Sequence, residues 1–143
     1  MKLYKDLKIL YVEDSRFANK MGVSVLSLVS DHVHAEHNGA DAYEYFIKYK
    51  PDIIFTDLDM PGMTGCELIS KIRKLDKKTP VVIVSAMDWV RSLDVNVIPK
   101  PITLNLVKAV LNGIMSGRLR ASLHTEENLT FLAKKARGNH IAS

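Results

Sequence analysis

Five residues carry the chemistry that this chain could do: the adjacent carboxylates Glu13 and Asp14, a third carboxylate at Asp57, the hydroxyl of Ser85 and the ammonium of Lys100. Three carboxylates gathered at one place repel one another unless a cation neutralises them, and an all-oxygen donor set suits Mg²⁺ or Mn²⁺ rather than zinc. Mg²⁺ habitually takes one or two carboxylates, keeps several waters and bridges to a phosphate. An aspartate can form an acyl phosphate, so Asp57 could serve both as ligand and as nucleophile toward a phosphoryl donor. Lys100 would then bring positive charge, and Ser85 a hydrogen-bond donor, to the phosphoryl oxygens. Each residue alone has a plainer reading. Glu13-Asp14 would be a solvated loop pair, Asp57 a turn or cap, Ser85 a satisfied strand-end hydroxyl and Lys100 a surface lysine. Only their joint placement turns these readings into a site.

That placement follows from the apolar pattern. Leu7 to Val12 is a strand-sized aliphatic run ending in Glu13-Asp14; Ser15 is an N-cap, and Phe17, Met21, Val25, Leu28 and Val29 then recur at helical spacing. His32 to His37 alternates loosely as a second strand, and Asn38-Gly39 turns the chain into Ala42, Tyr43, Phe46 and Ile47, another amphipathic helix. Pro51 opens a third strand, Asp52 to Thr56, that delivers Asp57. Pro61-Gly62 breaks the chain before a helix carrying Leu68, Ile69, Ile72 and Leu75. Val81 to Val84 forms a fourth strand ending at Ser85, Val95 to Ile98 a short fifth leading to Lys100, and Leu104, Val107, Val110, Leu111 and Ile114 mark a last helix. Five strands alternating with helices predict an α/β fold, a doubly wound parallel sheet covered on both faces. In such sheets ligands bind beyond the carboxyl ends of the strands, where the strand order reverses. All the residues picked out for chemistry fall at such ends, although their chemistry played no part in placing the strands.

With 143 residues, 47% of them apolar and 25% charged, the chain has the balance of one globular domain with a real core. Disordered, collagen-like and disulfide-stapled classes are excluded. No apolar stretch approaches the roughly 20 residues that span a bilayer, and the N-terminus does not read as a secretory leader, so the expected address is the cytoplasm. The lone Cys66 agrees with a reducing compartment and is read as an inert small residue. Of the net charge of +4, residues 114–143 carry +3, which reads as a solvated helix face rather than a nucleic-acid contact. His32, His34 and His37 read as sheet surface rather than as metal ligands.

The run from Lys50 to Gly65, KPDIIFTDLDMPGMTG, resembles the phosphoacceptor segment of response regulator receiver domains, the CheY-like modules of two-component signalling. It sits among Glu13-Asp14, Asn38-Gly39, Thr79 to Ala86 and Lys100-Pro101 in that family's order, and the likeness spans roughly residues 5–115. The resemblance implies the flavodoxin-like strand order 2-1-3-4-5, a receiver domain over residues 1–117 and a separate tail over 118–143. It implies that Asp57 accepts a phosphoryl group from a sensor histidine kinase or phosphotransfer protein in a Mg²⁺-dependent (or Mn²⁺-dependent) reaction. Glu13, Asp14, Asp57 and the backbone carbonyl of Asp59 would hold the metal, Ser85 would be the switch hydroxyl, Ala86 would offer its amide to the phosphate, and Lys100 would pair with the phosphoryl group. A cis Lys100–Pro101 peptide is implied as well. The output would be a changed contact with a downstream protein or output domain, with a homodimer left open, no membrane partner and no room after residue 117 for a DNA-binding domain.

The likeness departs from the family in three places. Val97 stands where the family carries an aromatic residue coupled to the switch hydroxyl, and Ser85 replaces the commoner threonine. Only residues 86–94 separate the fourth strand from the fifth, fewer than a complete crossover needs, so the helix between them is expected to be short or missing. Trp89 in that segment is read as a plug over uncovered sheet, with a partner anchor as the alternative. The tail is expected to form a helix from Thr125 through Leu129, Phe131, Leu132 and Ala136 to Gly138, with Lys134, Lys135 and Arg137 near its carboxyl end. Two other functions compete. A haloacid-dehalogenase-like phosphatase would use Asp57-Leu58-Asp59, but the motif sits on the third strand rather than the first and Met60-Pro61-Gly62 replaces the expected turn. A degenerate receiver would bind its partner regardless of phosphate.

Overall fold

A computed structural model describes residues 2–86 and 96–117. The expectations for Trp89, for Val95, for the crossover between the fourth and fifth strands and for the tail helix lie outside the described residues. Within them the order is β1 (Lys8–Val12), α1 (Arg16–Leu26), β2 (His32–Glu36), α2 (Gly39–Tyr49), β3 (Ile53–Asp57), α3 (Gly65–Leu75), β4 (Val81–Ser85), β5 (Val97–Pro99) and α4 (Leu104–Met115). The strands form one parallel sheet ordered β2-β1-β3-β4-β5, the doubly wound, flavodoxin-like arrangement. The chain steps outward from β1 to β2 and then crosses back to β3. The order therefore reverses between β1 and β3, which pair through Ile9 with Ile53 and Val12 with Thr56.

Both faces of the sheet are dry because successive side chains of a strand point to opposite sides. Leu10, Ile54 and Ile83 pack with Phe46 of α2 and Leu68 and Ile72 of α3. Ile9, Ile53, Phe55 and Val82 pack on the other face with Leu26 of α1 and Val107 and Leu111 of α4. The two central strands β3 and β4 are buried along their whole length, and each aliphatic or aromatic side chain hidden this way contributes about 1.5–3 kcal/mol. Among the described residues, each helix starts on a side chain that accepts from the backbone amide three residues on: Ser15 from Ala18, Asn38 from Asp41, Thr64 from Glu67 and Thr103 from Leu106. Such caps satisfy amides that the helix itself leaves unpaired.

Helix α1 splits its apolar row. Val29 is buried and Val25 packs against the core, whereas Phe17 is 77% and Met21 50% exposed, and Leu28 just past the helix end is 57% exposed. The buried face carries Asn19, Gly22 and Leu26 instead. Tyr11 is the reason: its ring fills the space beside α1 so closely that a β-carbon on Gly22 would come within 2.3 Å of it. A glycine therefore faces the sheet at that level, and Phe17 and Met21 point away. Ile47 of α2 and Leu75 of α3 are likewise exposed.

Candidate functional site

Glu13 and Asp14 follow directly on β1, Asp57 is the last residue of β3, Ser85 the last of β4, and Lys100 follows β5. All five thus meet at the carboxyl edge, around the β1/β3 reversal. Oxygens of Glu13, Asp14 and Asp57 lie within 4.8 Å of one another. Lys100 Nζ reaches between two of them, 2.7 Å from Glu13 Oε1 and 3.0 Å from Asp57 Oδ2. Three carboxylates facing one ammonium leave an excess of negative charge, and the all-oxygen donor set fits a hard divalent cation such as Mg²⁺.

The electrostatics follow from burial. Glu13 is 1% and Asp57 6% exposed. Burial pushes the Asp57 carboxyl up to about 6; the Lys100 ammonium pulls against this and the Glu13 carboxylate adds to it. Burial also acts to raise Glu13, but hydrogen bonds from Lys100 and from the Ser15 amide outweigh it and hold Glu13 below the ordinary glutamate range. Asp14 is raised by burial and by its neighbour Glu13. Lys100 stays above the ordinary lysine value, because its two carboxylate partners outweigh its own desolvation. One half-buried cation thus favours the charged form of two buried carboxylates.

The backbone holds this edge together. Lys100 donates its amide to the Ser85 carbonyl at 3.1 Å, tying the β5 loop to the end of β4. The Lys100–Pro101 peptide is cis, as the resemblance implied. Asp59 donates its amide to Asp57 Oδ1 at 3.4 Å. Ala86 follows Ser85 on the exposed edge, and Val97 packs against the core of the α2/α3 face. His34 stacks on Tyr45 at 3.8 Å and pairs with Glu36 at 2.6 Å, and no metal cluster among the described residues includes it.

Two supporting residues escaped the sequence reading. Asn19 donates its side-chain amide to the carbonyls of Glu13 and Glu36, at 2.9 and 3.2 Å, locking the ends of β1 and β2. A polar residue four positions after an N-cap was its only signal. Gly65 opens α3 against the end of β3, where a β-carbon would lie 2.1 Å from the Asp57 carbonyl oxygen and 2.7 Å from Leu58 Cα. Both contacts are backbone and cannot swing aside. Gly65→Ala is therefore expected to destabilise the fold by about 2 kcal/mol or more. Chemical denaturation measures this, and an unchanged midpoint would show that the loop yields freely.

Residues 9–112 match the family model described as response regulator receiver domain. Among curated proteins, the chain is 33% identical over 81 residues to the chemotaxis protein CheY of Thermotoga maritima, covering 56% of this chain and 68% of that one. It is 35% identical over 85 residues to a protein-glutamate methylesterase/protein-glutamine glutaminase of Hahella chejuensis, covering 58% of this chain but only 22% of that protein. The solved N-terminal domain of a Wolinella succinogenes protein superposes with a TM-score of 0.69 at 27% identity, covering 79% of this chain and 97% of that one. The response regulator TrrA of Thermotoga maritima, solved in complex with Mg²⁺-BeF, shares the fold with a TM-score of 0.67 at 23% identity, over 75% of this chain and 97% of that one.

Proposed function

The chain belongs to the response regulator receiver domain family, and from that premise we propose that it is a phospho-switch that accepts a phosphoryl group on Asp57 from a histidine kinase or phosphotransfer protein. The observation that carries this is the position of Lys100 Nζ between Glu13 and Asp57 at the edge where three carboxylates converge. In the transfer, an Asp57 carboxylate oxygen attacks the phosphorus of a phosphohistidine. The new O–P bond forms as the N–P bond breaks, and the imidazole leaves with the electron pair. A carboxyl poised near 6 is mostly ionised at neutral pH and so available for attack.

Glu13, Asp14, Asp57 and the Asp59 carbonyl would hold Mg²⁺ or Mn²⁺, whose charge offsets that of the phosphoryl oxygens when bound. Lys100, already in contact with Asp57, can exchange a carboxylate oxygen for a phosphoryl oxygen without a large movement of its chain. Ser85 donates its hydroxyl and Ala86 its amide to the same group. These roles make the domain assist its own phosphorylation without being an enzyme toward other substrates, and residues 1–117 are the unit that performs it. The output is a changed contact with a downstream protein, through elements other than a β5 aromatic, since Val97 occupies that position. No helix among the described residues is long and apolar enough to cross a membrane, and we place the switch in the cytoplasm, where a kinase partner would meet it.

Intact-mass measurement after incubation with acetyl phosphate and Mg²⁺ tests the reading. One phosphoryl adduct per chain, absent when the metal is chelated, is the expected result. No adduct in folded protein that binds Mg²⁺ would leave a module that binds its partner regardless of phosphate.

A further inference from the structure

Helices α2 and α3 pack side by side on one face of the sheet, and both run from its carboxyl edge to its amino edge. The eleven residues of α3 rise about 16 Å from Gly65, which lies beside Asp57. The C-terminal ends of the two helices therefore lie across the molecule from the clustered carboxylates. Between those ends runs a groove of about 500 Å³. Its floor is the buried Phe46 together with Ile47 and Leu75, which remain 48% and 62% exposed. Lys50, Lys77 and Lys78 flank it, all three exposed. No ion pair among the described residues takes any of these lysines. The one carboxylate in the lining, Asp76, is engaged by the turn after α3, accepting from the amides of Lys78 and Thr79 at 2.7 and 3.0 Å. We propose that this groove docks an acidic amphipathic helix of a partner protein, whose apolar residues fill the floor and whose carboxylates meet Lys50, Lys77 and Lys78.

An apolar floor flanked by unpaired cations sets two requirements, and an acidic helix laid along the groove meets both. Apolar side chains spaced three and four apart would face the floor, and carboxylates beside them would reach the lysines. A nucleic-acid backbone supplies the charge but nothing for the floor. A bilayer takes up apolar side chains that stand proud of the charged ones, whereas here they line a depression. A second copy brings the wrong charge, because the chain carries +4. It also needs more surface. Ile47 and Leu75 present on the order of 200 Å², against the roughly 800 Å² per partner that a stable dimer buries. The groove shares no residue with the carboxyl-edge site, so docking is expected with Asp57 unmodified and without metal.

The probe is a synthetic helix of about 14 residues, with leucines spaced three and four apart and glutamates elsewhere, titrated into the ¹⁵N-labelled full chain without Mg²⁺ or phosphodonor. Amide shifts should centre on residues 46–50 and 75–78. Versions of the peptide with lysines for its glutamates, or serines for its leucines, should bind at least about ten-fold more weakly. Lys77→Glu/Lys78→Glu should weaken binding by about ten-fold, and by more at low ionic strength. Lys50 has a left-handed backbone, with φ of 48°, where glycine is at ease. Lys50→Gly should therefore weaken binding about three-fold while the thermal midpoint holds or rises, which separates lost docking from lost folding. Shifts centred elsewhere, or an affinity indifferent to the Lys77/Lys78 reversal, would overturn the proposal. So would groove shifts that grow with protein concentration alone, which would assign the face to a second copy. Binding to phosphatidylcholine vesicles with about 30% phosphatidylserine, with the acidic peptide ignored, would assign it to a membrane surface instead.

Discussion

Asp57→Asn is expected to abolish the phosphoryl adduct and, in the metal-free chain at pH 7.5, to raise the thermal midpoint by about 3–8 °C. The two effects share one cause. Burial lifts the Asp57 pKa from 3.8 to about 6, so the folded state binds this proton more tightly than the unfolded chain does. The stability gained from protonation is fully present below pH 4 and is lost as the pH rises through 6. At pH 7.5 the ionised carboxylate therefore carries the whole penalty, about 3 kcal/mol for a shift of that size. Asparagine keeps the shape and removes the charge. That figure already includes the attraction of Lys100, and burying the amide of asparagine takes back part of the gain, which leaves about 1–3 kcal/mol. Saturating Mg²⁺ should reverse the ranking, since it binds the folded parent and stabilises it by mass action, whereas the variant has lost a ligand. Calorimetry of both chains across pH 4–8, with and without Mg²⁺, measures all of this. An asparagine variant less stable than the parent at pH 7.5 without metal would mean that Lys100 makes the buried carboxylate favourable on balance.

Lys100→Met should do the opposite in the metal-free chain, lowering stability by about 3 kcal/mol or more at pH 7.5. The ammonium is the shared partner of two carboxylates that are almost wholly buried. Taking it away leaves Glu13 and Asp57 facing each other in a low dielectric, and both carboxyls should then titrate at higher pH than they do now. The sign of the pH dependence follows. Their raised folded values mean that stability returns as the pH falls toward 5, where protons replace the missing cation. Mg²⁺ should bind the variant more tightly than the parent, because a positive competitor at the carboxylates has gone. Phosphoryl transfer from acetyl phosphate should nevertheless slow by about 100-fold or more, since the charge aimed at the phosphoryl oxygens is lost. Denaturant titrations at pH 5 and 7.5, with Mg²⁺ binding and adduct formation followed in parallel, separate these effects. A variant as stable as the parent at pH 7.5 would show that solvent already screens the pair.

The linear order of this chain determined most of what places the site. Buried parallel strands are nearly continuous aliphatic runs, so β1, β3 and β4 stand out in the sequence. A residue at the end of such a run must emerge at the carboxyl edge of the sheet. Glu13, Asp14, Asp57, Ser85 and Lys100 were therefore legible as a set, and the cis Lys100–Pro101 peptide came with the family resemblance. Tertiary structure alone decided the rest, because it depends on which neighbour fills which space. Phe17 and Met21 of α1 point outward because Tyr11 claims the room beside Gly22. Asn19 became a clamp because two strand-end carbonyls fell within its reach. Gly65 became obligatory because α3 starts against the Asp57 carbonyl, and Lys100 came to share itself between Glu13 and Asp57 because three loops converge where the strand order turns back. Periodicity records how often a side chain faces inward, but which face wins is settled by volumes and partners that lie far apart along the chain.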